Sequence, residues 1–149
     1  MKLRKLKLFF LLIIASLLID FSCKAKQKIM SNEQVSFSNV IIDKNLLKVF
    51  DTAHKIDTAF ITKDTLTLSI TSFTGCKNDT FELVSNGSFV KSNPPLIAVH
   101  LRRNSNGSCK DKFQKILKFG INALKNPNHS INKVVVSFVD EDVRINYNY

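Results

Sequence analysis

The chain reads as an all-β protein: a single antiparallel β-sandwich of immunoglobulin-like type, with about seven or eight strands, preceded by a signal helix that is cleaved on export. Three observations predict this. From Val35 onward, short runs alternate apolar and polar residues. Asn, Asp, Gly, Ser and Pro punctuate those runs at short intervals. Ahead of them, a basic start and an uncharged apolar stretch form an export signal separate from the fold. An apolar content of 44% with 23% charged residues describes a chain that folds. Its 149 residues suffice for one core.

Residues 1–22 read as a lipoprotein signal. Lys2, Arg4, Lys5 and Lys7 precede Leu8–Ile19, which carries no charge. An apolar region of about 7–15 residues is what a signal peptide requires. As a helix this one is about 18 Å long, short of the ~30 Å hydrocarbon core, which disfavours an uncleaved anchor. Ser22 is the small residue before Cys23, as in a bacterial lipobox, where the cysteine becomes the first mature residue and carries lipid. Asp20 stands where a lipobox carries Leu or a similar residue. Lipidation of Cys23 is the expectation, with simple secretion as the alternative. Residues 23–33 form a flexible tether whose Lys24, Lys26 and Lys28 either rest near anionic head groups or act as a solvated spacer. The sandwich domain occupies 34–149.

Each strand has its own signal. Val35–Ile42 supplies a first strand. Asn45–His54 fits a short helix or a loop with strand. Leu66, Leu68 and Ile70 alternate with Thr65, Thr67, Ser69 and Thr71, so one face is buried and one wet. Phe81 and Leu83 continue the style, and Asn86-Gly87 is the dipeptide of a type I′ turn joining Thr80–Ser85 to Ser88–Lys91 as a hairpin. Pro94-Pro95 interrupts pairing before Leu96–Arg103, where Ile97, Val99 and Leu101 alternate. Lys110–Ile121 matches both helical and strand spacing, and its β surroundings favour strand. Lys133–Val139 and Val143–Tyr149 flank Asp140-Glu141-Asp142 as a closing hairpin, with Val143, Ile145, Tyr147 and Tyr149 on one face. A small barrel is the alternative architecture.

Cys76 and Cys109 end two of these strands, and in an oxidising compartment they should bond. A redox or metal role is disfavoured because no C-x-x-C occurs. Their pairing leaves Cys23 as the odd cysteine, which lipid would occupy. The full chain carries a net charge of +10; loss of residues 1–22 removes Lys2, Arg4, Lys5, Lys7 and Asp20 and leaves +7. An exported protein with this spread of charge is not expected to bind nucleic acid.

No catalytic or metal-binding set converges, and no cofactor is expected. His54, His100 and His129 lie far apart and outside metal spacings. Asp140-Glu141-Asp142 supplies oxygens that suit calcium, although three acids at a hairpin tip are more often a solvated turn. Tyr147, Tyr149, Phe73 and Phe89 would form a sugar-binding surface if exposed, or core at strand spacing.

With these features placed, GCKNDTFELV, SNPPLIAVHLRRNSNGSC, ILKFGINAL and INYNY together resemble a domain of uncharacterised lipoproteins of Bacteroidota, over roughly Asp64–Tyr149. The resemblance implies a small disulfide-bonded sandwich and no specific activity. Related forms often carry a His shortly after Gly-Cys and a more acidic turn. Lys77-Asn78-Asp79 and Arg102-Arg103 stand there in this chain, so no ion-binding role carries over. The resemblance also implies O-glycosylation at Thr52, Thr58 and Thr65, each in an Asp-Thr-aliphatic tripeptide. The basic residues after Cys23 favour the periplasm-facing side of the envelope. The expected function is a non-catalytic binding or structural accessory, held on the membrane by an N-terminal lipid and partnered by an envelope protein or glycan. A secreted enzyme or enzyme inhibitor is the second hypothesis, and Asn104–Ser108 is its candidate inhibitory loop.

Overall fold

The computed structural model describes residues 35–46, 53–105 and 107–149. The signal, Cys23, the tether, Thr52 and Asn106 lie outside them, as do residues 47–52 of the ambiguous stretch. Ten strands are described: β1 (Ser36–Asn39), β2 (Ile41–Ile42), β3 (His54–Thr62), β4 (Thr65–Ser72), β5 (Thr80–Ser85), β6 (Phe89–Val90), β7 (Leu96–Asn104), β8 (Phe113–Gly120), β9 (Lys133–Phe138) and β10 (Val143–Asn148). One 3₁₀ turn, Asn122–Leu124, is the remaining regular element among the described residues.

Period-two patterning explains the packing. Leu66, Leu68 and Ile70 of β4, Ile97 and Val99 of β7, and Val134 and Val136 of β9 are fully buried. Each such side chain contributes about 1.5–3 kcal/mol by leaving water. Thr65, Thr67 and Ser69 of β4 and the alternate residues of β7 stay half-exposed on the outer faces. A four-stranded sheet, β1-β8-β4-β3, packs on a six-stranded sheet, β10-β9-β7-β5-β2 with β6 beside β7. The result is the predicted all-β sandwich. Lys110–Ile121 contains a strand, with Phe113, Leu117 and Phe119 buried. The closing hairpin forms as expected, with Val143 against Phe138 and Tyr147 against Val134.

The sheets are mixed where antiparallel pairing was expected throughout, and ten strands replace seven or eight. Most of the difference lies in Val35–Ile42. That segment breaks at Val40, whose side chain is buried and whose N–H donates to Gly120 O at 2.9 Å. β1 then pairs parallel to β8 in one sheet and β2 parallel to β5 in the other. One short segment therefore forms an edge of both sheets. β7 and β9 make the third parallel pair.

Asn86-Gly87 does not close a hairpin. A type I′ turn needs positive φ at both central residues, and here Gly87 has it (φ 72°) while Asn86 does not. Ser85 Oγ donates to Ala98 O at 2.7 Å and accepts from Gly87 N at 3.2 Å, which holds the chain beside β7. β5 and β6 both pair with β7, Val84 opposite His100 and Phe89 opposite Ile97, so the dipeptide marks an excursion within one edge. The reversal comes later, between β6 and β7.

β3 is an additional strand. Its buried residues are out of phase because a bulge falls between Ile56 and Thr58, which moves the inward positions from Ile56 to Ala59 and Ile61. A two-residue turn at Lys63-Asp64, with Lys63 at φ 53°, closes it onto β4.

Candidate functional site

A buried polar cluster surrounds the Cys76–Cys109 disulfide, which forms as expected. Asp79 follows Cys76 by one turn and is 1% exposed. Its Oδ2 accepts from Cys76 N at 3.0 Å, and its Oδ1 accepts from Ser105 Oγ at 3.1 Å. Arg103 Nη1 lies 3.9 Å from Oδ2 and also donates to Thr74 O. A buried carboxylate is tolerable because these donors replace its water. The arrangement clamps the Cys76 and Cys109 segments to the end of β7. Gly75 is required at this point, since a Cβ there would lie 2.7 Å from both Arg103 Nη1 and Asp79 Oδ2. The Asp at the third position after Cys76 is the sequence signal for this knot. Its burial depends on Arg103 and Ser105, which are distant in sequence.

Beside the knot, a cleft of about 300 Å³ opens between β1–β2 and β5. Ser36, Ser38, Asn39, Thr80, Glu82 and Lys115 supply polar groups, and Phe81 and Ile41 supply apolar walls. Lys115 Nζ donates to Asp79 O at 2.7 Å and sits 5.9 Å from the centre of the Phe81 ring. Desolvation lowers its pKa, partly opposed by Asp79. Its amine is committed to carbonyl oxygens and so is held as a donor rather than freed as a nucleophile. Glu82 Oε2 accepts from Arg102 Nε at 3.0 Å and Nη2 at 2.7 Å. Hydrogen bonds from Arg102 and then Asn104 hold its carboxyl below the usual range. The cleft can accept a small polar group by hydrogen bonding, and no general base stands free in it.

The acidic turn does not converge on a cation. Asp140 Oδ2 faces His100 Nδ1 at 3.2 Å. Glu141 accepts from Ile56 N through both carboxylate oxygens at 2.8 Å, capping the bulge of β3. No group of three His, Cys, Asp or Glu residues able to hold a metal occurs among the described residues. His54 is buried edge-on to Phe81, with ring centres 6.0 Å apart, and His129 lies in the exposed turn before β9. Tyr147 is fully buried and Tyr149 packs against it with centres 5.0 Å apart, so these two residues form core, not a sugar platform. Phe89 is half-buried against the core, while Phe73 is 47% exposed with Lys112 over its ring. Thr58 is exposed on β3, and Thr65 is half-buried at the start of β4.

No protein-family model and no curated protein matches the chain. Several solved structures are similar to it. A NigD-like immunity protein from Bacteroides caccae superposes with a TM-score of 0.51 at 13% identity, over 75% of this chain and 58% of that one. A protein of unknown function from Bacteroides vulgatus gives 0.47 at 18%, over 77% and 56%. A protein described as a "putative lipoprotein" from Bacteroides fragilis gives 0.48 at 12%, over 76% and 71%. The chain therefore spans less than two thirds of the first two proteins, and these identities speak to fold alone.

Proposed function

We propose that the protein is an exported lipoprotein, anchored through Cys23 on the periplasm-facing side of the envelope. In this reading its sandwich is a non-catalytic accessory domain that binds another envelope component. The observation that carries the reading is the Cys76–Cys109 bond. It consumes two of the three cysteines and leaves Cys23, directly after the apolar leader, as the one available for lipid. The accessory role is supported by the disposition of the polar groups, which are spent on each other: Asp79 on Arg103 and Ser105, Glu82 on Arg102, and Glu141 on the β3 backbone. The fold shared with a NigD-like immunity protein is compatible with an accessory role. An exported enzyme is the second reading, favoured by the polar lining of the cleft.

Labelling cells with radioactive palmitate tests the anchor. Label on the wild type that disappears in Cys23→Ser is the expected result; an unlabelled wild type would leave a freely secreted protein. Affinity capture from solubilised membranes tests the role. A stoichiometric envelope partner supports the accessory domain, and turnover of a small molecule that depends on the cleft residues would replace it with the enzyme.

A further inference from the structure

The register of the four-stranded sheet lines up exposed side chains across its outer face. Phe37 of β1 pairs with Lys118 of β8, Lys118 with Thr67 of β4, and Thr67 with Phe60 of β3. Residues directly opposed in a sheet project to the same side. Leu66 and Leu68, which flank Thr67, are fully buried, so the row faces away from the core. Phe37 is 63% exposed and Phe60 53%. Three strand spacings, about 14 Å, separate them. Ile116, Ser69 and Thr58 make the adjacent row, and Lys55 stands opposite Thr71 on the same side. Asp57, at the bulge, spends a carboxylate oxygen on the Thr71 hydroxyl at 2.7 Å.

We propose that this face rests on an anionic phospholipid surface, with Phe37 and Phe60 in the headgroup–acyl boundary and Lys118 and Lys55 against phosphates. Rings at both margins with hydroxyls and a cation between them suit a boundary that is apolar below and charged above. Two observations select a bilayer as the occupant. First, the chain joins the fold at this face: Val35, 46% exposed, immediately precedes β1 and lies on the Phe37 side of the strand. Residues 23–34 span at most about 40 Å when extended, so lipid on Cys23 keeps this end of β1 within about that distance of the bilayer and raises its effective concentration there. Second, Lys24, Lys26 and Lys28 precede it with no acid before Glu33, which complements anionic head groups. The inference rests on the lipid-anchored reading above.

The chain contains no Trp, so a single introduced indole reports its own position. With Cys76 and Cys109 bonded, Cys23 also allows the mature protein to be coupled to maleimide lipid in phosphatidylethanolamine–phosphatidylglycerol vesicles. Phe37→Trp and Phe60→Trp should each show blue-shifted emission and at least about twofold quenching by brominated acyl chains. Asn146→Trp, exposed on the outer face of the other sheet, should show neither. Adding Lys118→Glu to either row variant should weaken the quenching, as should salt. Quenching at none of the three positions, or equally at all three, overturns the proposal. So does burial of the two row positions by a soluble envelope glycan or protein in place of vesicles. Because coupling is chemical, a failed palmitate label in cells refutes the native anchor alone, and an unquenched row refutes the face alone.

Discussion

Tyr147 shows how a residue at an ordinary strand position acquires a specific role. Its ring is fully buried in the core, and its hydroxyl donates to Asp64 in the β3–β4 turn, a residue that also pairs with Lys125 at 3.0 Å. Burial, and then the Asp64 bond, push the tyrosine pKa up. The Tyr147 and Lys125 hydrogen bonds hold the Asp64 carboxyl below the usual carboxylate range. The two signs define a window. The Asp64 contribution is present above about pH 4 and fades as pH falls through its lower folded value. The Tyr147 contribution is present below about pH 10 and fades as pH rises through its higher folded value. Tyr147→Phe should therefore lower the thermal midpoint by about 3 °C at neutral pH. The gap between variant and wild type should close at both extremes, as followed by circular dichroism against pH.

At the scale of elements, the Val35–Ile42 segment depends on one small residue. A Cβ on Gly120 would lie 2.3 Å from Asn39 Oδ1, so any larger residue there must displace the Asn39 side chain at the β1–β8 contact. The same glycine accepts the Val40 N–H that turns the segment from one sheet to the other. Gly120→Ala should displace Asn39 and weaken that bond while β4 and β7 stay protected. Hydrogen exchange would show this as faster exchange at Val40, by about tenfold if roughly 1.4 kcal/mol is lost locally. Unchanged exchange at Val40 would mean that Asn39 moves aside without cost. β3 teaches a complementary lesson. β3 is the edge strand of its sheet, and beside its bulge the Ile56 N–H is accepted by Glu141 of the β9–β10 turn. Contact between the two outermost strands, β3 and β10, is thereby tied by Glu141 and by the Tyr147–Asp64 bond.

Across the whole molecule, the disulfide links positions 33 residues apart and secures the loops around Asp79. In the chain-entropy model a closed loop of this length adds about 4 kcal/mol. Replacing Cys76 and Cys109 together by Ala should reduce the unfolding free energy in urea by about that amount, with the midpoint falling and the slope rising slightly as the unfolded chain expands. Reduction of the native protein should add the mass of two hydrogens; free thiols at both Cys76 and Cys109 before reduction would show that the bond does not form in the cell. The knot of Asp79, Arg103 and Ser105 should keep the pair close even in the reduced state.

What the sequence determined by itself was local. Alternation in Leu66–Ile70, Ile97–Leu101 and Val143–Tyr149 assigned strands and their buried faces, because side chains on a strand point alternately to its two sides whatever the partner. Lys110–Ile121 fitted both periods, and its β surroundings favoured the strand it contains, while compartment chemistry paired Cys76 with Cys109. Tertiary structure decided the partners. Val40 switches sheets because Gly120 offers both space and a carbonyl, and Asn86-Gly87 fails to reverse because Ser85 and Ala98 hold the chain along β7. β3 has no local signature because its bulge breaks the alternation that marks a strand. Asp79, Glu141 and Tyr147 gained their roles from Ser105, Ile56 and Asp64, and Phe37 and Phe60 share a row only through two intervening strands. Pairing across such separations is set by how the whole chain closes its core, which no local period encodes.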